Sequence, residues 1–309
     1  MGLPRAAISL LLRESARRPF SGTVATLGRQ HVYATADDIH REAARHQVSL
    51  AAASIELHRE PKLAQQNFVS DDCLFQLLGF SESVRIDRSD YEDAEELLDL
   101  NAEHTPHHLR QRFDLIIDSG TLEHIFDVPA VFRHLCNMVK PGGRIIHLTP
   151  SSNCVEHGFY SVSPTLFADY YSAAGCHLED IFLCRWPERP ERGMWLVYDY
   201  LNAPNRFIPL GRLGRSVWFT YAAVTILDGV APGIPQQSFY TSTWRAAEES
   251  GSEASVEPAD SRAARLLKLV EGRPRLTSAA NATIRAWRGI VNGLRHRRGT
   301  LPYPFVGKF

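Results

Sequence analysis

The sequence predicts an α/β fold, a mostly parallel sheet flanked by helices, with an antiparallel edge strand and a C-terminal extension. Residues 113–150 (FDLIIDSGTLEHIFDVPAVFRHLCNMVKPGGRIIHLTP) read as a buried strand, a polar loop, a helix, a glycine turn and a second buried strand. Such a unit builds a parallel sheet. Two apolar runs, 177–186 and 194–201, flank the polar PERPERG, which favours antiparallel pairing at a sheet edge.

The composition narrows the class of protein. The chain has 309 residues, 44% of them hydrophobic, which is enough for a sizeable core, and its net charge of -1 excludes a globally basic nucleic-acid binder. No apolar run reaches the roughly 20 residues that span a bilayer. We therefore expect a cytoplasmic protein with no transmembrane segment and no nucleic-acid partner. The widely spaced cysteines, with no CxxC pair, predict free thiols: Cys73, Cys136, Cys154, Cys176 and Cys184.

The first elements follow from apolar patterns and caps. Residues 1–19 predict an amphipathic N-terminal helix. The β-branched run 23–28 (TVATLG) predicts the first buried strand. Thr35, with Asp38 three residues later, indicates the N-cap of a helix over about 36–46.

The next predicted elements are a capped helix, a short strand and a helix-to-strand stretch. Ser70 caps the helix DDCLFQLL, and Gly79 suits the position after its end, where φ is positive. Residues 83–87 (SVRID) predict a short strand that ends in an acid. Residues 94–101 (AEELLDLN) predict a helix-to-strand stretch.

Caps and turns also define the elements of 113–150 and beyond. Asp127 caps the helix, and Pro129 lies in its first turn, where a missing N–H costs little. Pro141-Gly142-Gly143 ends the helix and leads into a strand over 144–148. A polar, aromatic-rich loop and a helix over 165–173 follow.

The chain after the sheet domain changes composition. We predict a sheet domain over 20–202 and an appended segment over 203–245 that forms either a lid or packing. Residues 246–261 are small and acidic and predict a disordered linker. Residues 262–309 predict a basic helical tail whose apolar stripe packs on the domain; the alternative is a tail that binds an acidic partner or a membrane surface peripherally.

The order of these elements, with FDLIIDSGTLEH followed by KPGG, resembles a class I S-adenosyl-L-methionine (SAM)-dependent methyltransferase over about 20–200. The resemblance implies a Rossmann-like fold, a transferase activity and SAM as cofactor. HGFYSVSPTLF resembles a subgroup of bacterial methyltransferase-like proteins, some of them associated with surface-glycan biosynthesis. That subgroup implies a glycan-like acceptor.

One motif of the family is degenerate in this chain. The usual acid-x-Gly-x-Gly-x-Gly after the first strand is replaced by Thr26-Leu27-Gly28-Arg29-Gln30-His31. Only Gly28 remains to give the tight turn and the close backbone approach that glycine allows. The resemblance implies that Arg29 or Gln30 helps to hold the methionine carboxylate of SAM; the alternative is that Arg29 is a solvated loop arginine.

Three groups of residues match the positions at which the family binds its cofactor. Asp87 would accept hydrogen bonds from the ribose hydroxyls, with Asp90 as the competing candidate. Asp99, Leu100 and Asn101 would contact adenine, unless they only close the strand with an Asx turn. Asp118, Ser119 and Gly120 would lie beside the sulfonium, unless they are only a polar loop cluster.

An alcohol acceptor also needs a base, and histidine is the usual one. We rank the candidates His157, His124 and His147, and each has a structural alternative. Glu123, His124 and His157 could also bind a metal, as in some RNA-end methyltransferases. Those enzymes carry a further Glu three residues before the Glu-His pair, where this chain has Gly120, so we predict no metal.

The predicted function is SAM-dependent O-methylation of a small-molecule or glycan-like acceptor. The alternative is a catalytically inactive methyltransferase-fold protein that acts as a binding partner or scaffold. The missing glycines favour the second function, and the acids at the strand ends favour the first.

Overall fold

The computed structural model describes residues 2–186, 194–203, 213–250, 282–283, 286 and 303–309. Two compact units divide the chain. The first comprises Met1–Ala203, Arg215–Pro235 and Pro304–Phe309, and the second comprises Pro204–Gly214 and Gln236–Tyr303. All strands of the described residues belong to the first unit: β1 (Gly2–Pro4), β2 (Thr23–Leu27), β3 (His31–Tyr33), β4 (Glu82–Asp87), β5 (Glu96–Leu97), β6 (Phe113–Ser119), β7 (Val139–Ser152), β8 (His177–Arg185), β9 (Leu196–Asp199), β10 (Trp218–Thr225) and β11 (Phe305–Lys308).

The main sheet has the order β11-β9-β8-β10-β7-β6-β2-β4-β5. The strands from β7 to β5 run parallel, and β10, β8, β9 and β11 extend the sheet with antiparallel pairs. Register places Leu27 beside Ile86 and Ile117 beside Ile146, so the carboxyl ends of β4, β2, β6 and β7 meet at one edge. This arrangement confirms the predicted fold class. The short strands β1 and β3 form a separate parallel pair.

The helices described in the first unit are α1 (Arg5–Arg17), α2 (Ala36–His46), α3 (Pro61–Ala64), α4 (Asp71–Leu77), α5 (Val128–Met138) and α6 (Pro164–Ala173). Four of these six helices, α2, α4, α5 and α6, begin at a side-chain cap. Thr35 and Asp38 form a reciprocal capping box on α2, and Asp127 caps α5 with Pro129 in the first turn. Ser70 caps α4, and Gly79 follows it at φ +101°. These caps match those expected from the sequence.

One part of the core joins the N-terminal helices to the sheet. Side chains of α5 and α6, such as Phe132 and Phe167, are also buried. A single cluster of buried apolar side chains joins α1, α2 and α4 to strands from β2 to β10, with Ile8, Leu12 and Phe75 among its most buried members. Burial of such side chains contributes about 1.5–3 kcal/mol each. The N-terminal helix is therefore part of the domain core and covers the sheet.

Strand β10 was not expected. The sequence analysis placed 203–245 outside the sheet domain, yet Trp218–Thr225 is fully buried and pairs with both β7 and β8. Its run WFTYAAVT is mostly apolar, as expected of a strand covered on both faces, and its two threonines are buried. Strand β11 lies in the part predicted as a helical tail. The stretch 94–101 contains only the two-residue strand β5 and no helix.

The described part of the second unit is dominated by helix α7 (Ser238–Ser250). This helix extends into the predicted linker, whose remaining residues, 251–261, lie outside the described residues. The predicted basic helix over 284–298 also lies outside them, apart from Ala286. Within the described chain, no helix is both long and apolar enough to cross a bilayer.

Candidate functional site

A buried hydrogen-bonded chain links the ends of β6 and β7. The Nδ1 of His147 donates to the Oδ2 of Asp118 over 2.7 Å, because a carboxylate can only accept. The hydroxyl of Tyr171, on α6, lies 2.7 Å from the Nε2 of His147. Asp118, His147 and Tyr171 are completely buried, and Phe132 and Phe167 pack against the imidazole. This chain anchors the loop that follows β6.

The second oxygen of Asp118 shapes that loop. Oδ1 accepts from the backbone N–H groups of Thr121 and Leu122 at 3.2 and 3.1 Å. Both carboxylate oxygens are therefore engaged with the protein interior. Ser119 is also buried and donates to the backbone oxygen of Gly2, and Gly120 makes the turn at φ +86°. In this conformation Asp118 acts as a support for the loop, and contact with a sulfonium stays a prediction.

Glu123 is the unusual residue of the loop. Its side chain is fully buried, and neither carboxyl oxygen has a hydrogen-bond partner among the described residues. Burial, together with the nearby negative charge of Asp118, raises the pKa of Glu123 to about 8. Its backbone oxygen accepts from the N–H of Phe159 at 2.8 Å and of Tyr160 at 3.3 Å. The loop after β7 is thus fastened directly onto Glu123.

Two histidines converge on this carboxyl group. The Nε2 of His157 lies 3.4 Å from the Oε1 of Glu123, and this nitrogen is buried without a hydrogen-bond partner. The rings of His124 and His157 have centroids 5.4 Å apart. One ligand atom from each of Glu123, His124 and His157 lies within 4.8 Å of the others. Burial first, and then His157, lowers the pKa of His124.

Glycine at position 158 allows the close approach of the two loops. A Cβ at Gly158 would lie 2.7 Å from the backbone oxygen of Glu123 and 3.0 Å from its Cγ. A larger residue would push the 157–160 segment away. Sequence reasoning ranked the neighbouring His157 but missed Gly158, because a single glycine in a polar loop carries no distinctive signal.

An exposed aromatic group flanks these residues. Phe126 and Phe159 are 72% and 66% exposed and contact each other edge to face. Tyr160 packs beside Phe159 and donates its hydroxyl to the backbone oxygen of Phe126 at 2.9 Å. We call these three residues the aromatic cluster. Clustered aromatic side chains that are this exposed to solvent are typical of binding surfaces.

The predicted cofactor residues gather at the ends of β2 and β4. Gly28 has φ +69°, and its N–H donates to the backbone oxygen of Ile86. A Cβ on Gly28 would lie 3.5 Å from the Oδ2 of Asp87 and 3.8 Å from the Oγ1 of Thr121. The hydroxyl of Thr121 in turn donates to the backbone oxygen of Leu27. Gly28 therefore lies between Asp87 and the loop that Asp118 supports.

Asp87 has one engaged and one open oxygen. Oδ1 accepts from the N–H groups of Arg88 and Ser89, while Oδ2 receives no hydrogen bond from the described residues. The competing candidate, Asp90, is exposed and lies three residues further along the chain. Asp87 is thus the acid that the fold brings next to Gly28.

The side chains of Arg29 and Gln30 differ in whether they already have partners within the protein. The guanidinium of Arg29 pairs with the carboxylate of Asp71 and donates to backbone oxygens of Glu92 and Asp93. Because Arg29 is already paired with Asp71, it is not the solvated loop arginine that the sequence allowed. The same ion pair would compete with the predicted contact to the methionine carboxylate of SAM. Gln30 is buried, with an Oε1 that has no partner among the described residues.

Asp99 and Asn101 form an Asx turn just after β5. The Oδ1 of Asp99 accepts from both the backbone and the side-chain nitrogen of Asn101, at 2.9 and 3.0 Å. These hydrogen bonds lower the pKa of Asp99. Leu100 is buried. The turn that the sequence offered as the alternative is therefore present, and contact with adenine stays a prediction.

These observations define a class of protein: an α/β enzyme with acids and histidines at the carboxyl ends of neighbouring parallel strands, where such folds bind their ligands. The model of the methyltransferase domain family matches residues 34–204, more than half of the chain. The chain belongs to this family, and is a SAM-dependent methyltransferase. This confirms the predicted family, enzyme class and cofactor. Strand β2 and Gly28, Arg29 and Gln30 precede the matched residues.

Solved structures give more distant similarities. The 1,6-didemethyltoxoflavin-N1-methyltransferase from Burkholderia thailandensis is 12% identical, with a TM-score of 0.35 over 72% of this chain and 78% of that one. The N-methyltransferase NodS from Bradyrhizobium japonicum is 12% identical (TM-score 0.37, 72% and 85% covered). A SAM-dependent methyltransferase from Mesorhizobium loti is 16% identical (TM-score 0.32, 71% and 98% covered). Similarity at this level identifies no acceptor. No curated protein matches the chain.

Proposed function

We propose that this chain transfers the methyl group of SAM to an oxygen atom of a small-molecule or glycan-like acceptor. The observation that carries the proposal is the approach of the buried Glu123 carboxyl group to the unpartnered Nε2 of His157, at 3.4 Å, beyond the ends of β6 and β7. An N–H or S–H acceptor has less need of such a proton-accepting pair than an alcohol, which ionises only at high pH. The pair therefore favours oxygen as the methylated atom.

The cofactor would be held at the ends of β2 and β4. The bare backbone of Gly28 leaves room beside Asp87, and the open Oδ2 of Asp87 is suited to accept hydrogen bonds from ribose hydroxyls. The buried, unpartnered Oε1 of Gln30 offers a further acceptor next to Gly28. The residues present therefore fit an adenosyl group even without the remaining glycines. When bound, SAM supplies an electrophilic methyl group.

The acceptor would be activated by His157, with His124 as the second candidate. The Nε2 of His157 faces Glu123, so the other ring nitrogen can take the proton of an acceptor hydroxyl. Ionised Glu123 would stabilise the resulting imidazolium, and the positive charge of the imidazolium would in turn favour ionisation of Glu123. The fastening of the 157–160 segment to the backbone of Glu123 fixes the ring beside its partner. Alignment of the reacting atoms by such contacts can supply on the order of 7–11 kcal/mol.

The aromatic cluster supports the proposed acceptor class. Phe126, Phe159 and Tyr160 lie two or three residues after His124 or His157 in the chain, and their rings are exposed to solvent. The faces of such rings bind apolar surfaces, including the C–H faces of sugar rings. A ring-bearing or glycan-like acceptor would thus bind beside the base. The location in the cytoplasm and the role in glycan biosynthesis are part of the same proposal.

Isothermal titration of the full chain with SAM and with S-adenosylhomocysteine tests the cofactor part. We expect both to bind, and Asp87→Ala to weaken binding by roughly 10- to 100-fold, the worth of hydrogen bonds to a charged group. Asp90→Ala is the matched control and should bind as the wild type does. Equal weakening by both substitutions would contradict the ribose role of Asp87. Absence of heat and of thermal stabilisation at millimolar ligand would favour the scaffold function.

A further inference from the structure

We propose that Glu123, His124 and His157 bind one divalent transition-metal ion of the Zn²⁺ type. The sequence analysis predicted no metal because Gly120 replaces a fourth ligand residue. Sequence spacing could not show that the three residues are close in space. In the structure, the loops after β6 and β7 bring one ligand atom from each of them within 4.8 Å of one another.

The first argument is the set of unpartnered polar atoms. Both oxygens of Glu123 and the Nε2 of His157 are buried and have no hydrogen-bond partner among the described residues. Each such buried group costs about 1–3 kcal/mol, and native structures keep few of them. Here three of them converge in a single place. A cation at their common centre would satisfy all three at once.

The second argument is the chemistry of the ligand set. Two imidazoles and one carboxylate are the protein ligands of catalytic zinc sites, which leave a fourth position open. The same set with open positions also suits other first-row divalent ions. Mg²⁺ and Ca²⁺ prefer oxygen ligands, so two imidazoles disfavour them. Three protein ligands are therefore enough for the proposed site, and it does not need a fourth ligand residue at the position of Gly120.

The third argument is that the backbone holds the ligands in place. Glu123 and His124 belong to the short helical turn Leu122–His124, which Asp118 fixes through the N–H of Leu122. The segment that carries His157 is tied to the backbone oxygen of Glu123 by two N–H groups. A site built on such supported loops needs little reorganisation to accept an ion.

The role of the ion rests on the proposed function, although binding of the ion does not. An acceptor hydroxyl at the open position would become more acidic, and its O–H proton would pass to solvent as the metal–oxygen bond forms. His157 would then be a ligand of the ion, which would replace its role as base. The metal-free and metal-bound sites thus activate the same oxygen in two different ways.

The test uses the full chain without SAM. We expect the purified protein to carry about one ion per chain by elemental mass spectrometry. After removal of the metal, titration with Co²⁺ should produce visible absorption bands of a bound ion, which Zn²⁺ displaces. Glu123→Gln and His157→Asn should each weaken Co²⁺ binding by at least roughly 10- to 100-fold. Circular dichroism would establish that both variants are folded.

The control is His108→Asn. His108 also pairs with a glutamate, since its Nε2 lies 3.0 Å from Glu96, but the bond is exposed and no third ligand joins it among the described residues. This variant should bind Co²⁺ as the wild type does. Absence of Co²⁺ bands in the wild type, or equal affinity in all four proteins, would overturn the site. Retained Co²⁺ binding without methyl transfer would overturn only the proposed function.

Discussion

Two groups of acids lie at the same edge of the sheet and behave in opposite ways. Asp87, the last residue of β4, is half-buried, and Asp99, after β5, is exposed; both accept hydrogen bonds from nearby N–H groups. Asp118, near the end of β6, and Glu123, in the loop after it, are fully buried. The pKa of Asp99 is lowered by its hydrogen bonds, whereas the pKa of Glu123 is raised to about 8 by burial. The same kind of side chain is therefore hydrogen-bonded near solvent on one side of this edge and buried on the other, which matches the proposed division between cofactor binding and proton chemistry.

The largest expected effect comes from Asp118. In Asp118→Ala, the ring of His147 and the N–H groups of Thr121 and Leu122 lose their common acceptor inside the protein. Three unsatisfied donors, two in buried bonds and one in a part-buried bond, should lower the free energy of unfolding by about 3–5 kcal/mol. Urea denaturation followed by circular dichroism measures this change.

Asp87→Ala is the matched control, because it removes the same side chain from the same edge. The N–H groups it leaves are exposed to water, so the expected loss is about 1 kcal/mol or less. Losses of equal size in the two variants would show that the comparison between buried and exposed acids is wrong.

The next effect is a pH dependence that Glu123 brings to the metal-free protein. Between about pH 4.5 and 8, folded Glu123 keeps a proton that the unfolded chain has released. The free energy of unfolding must then fall as the pH rises through this window, and level off above it. A loss of about 2–4 kcal/mol is expected across the window.

Glu123→Gln isolates this contribution, because glutamine has the same shape and does not titrate. Denaturation of both proteins in the presence of a chelator, from pH 5 to 8.5, gives the difference. The wild type should lose stability relative to the variant as the pH rises. A constant difference across the range would mean that Glu123 titrates normally.

The sequence predicted the parts of the fold that depend on local signals. The apolar runs of β2 and β6, the Thr35–Asp38 capping box and the Asp127 cap each reflect interactions within a few residues. Strand β10 could not be assigned in the same way. Its neighbours in the sheet, β7 and β8, are distant in sequence, and a mostly apolar run of eight residues fits a strand or packing equally well.

The candidate site likewise has parts that the sequence could predict and parts that depend on tertiary structure. Asp87 and Gly28 follow strand ends, so their proximity could be expected from parallel pairing. The contact of Glu123 with His157 depends on two loops that only tertiary structure brings together. Arg29 shows the converse, since Asp71 lies 42 residues away and no local pattern revealed their ion pair. Tyr171 was missed because a tyrosine on an amphipathic helix predicts ordinary packing.

A smaller effect is expected from Gly28→Ala on the exposed side. The backbone there has φ +69°, which an L side chain adopts at a cost of about 1–2 kcal/mol. The added methyl group would also lie 3.5 Å from Asp87, in the proposed cofactor site. We expect a modest loss of stability and a clear loss of SAM affinity by titration calorimetry.

Gly142→Ala separates these two contributions. Gly142 has a similar φ of +80°, but a Cβ there would meet nothing within 4 Å. It should therefore lose comparable stability and keep its SAM affinity. If both variants bind SAM equally well, then Gly28 does not line the cofactor site.

The smallest effect is expected from Asp99, because its Asx turn is exposed to solvent. Its lowered pKa means that the turn adds stability above the pKa of the unfolded chain, and that this contribution is lost as the pH falls through the folded value. Carboxyl-carbon NMR should show Asp99 titrating below its ordinary value. Asp99→Asn keeps an acceptor for the N–H of Asn101 and should remove only the pH dependence. The contributions of Asp99 and Glu123 to stability therefore change with pH in opposite directions. A pKa of Asp99 above its ordinary value would contradict the contrast between the two groups of acids.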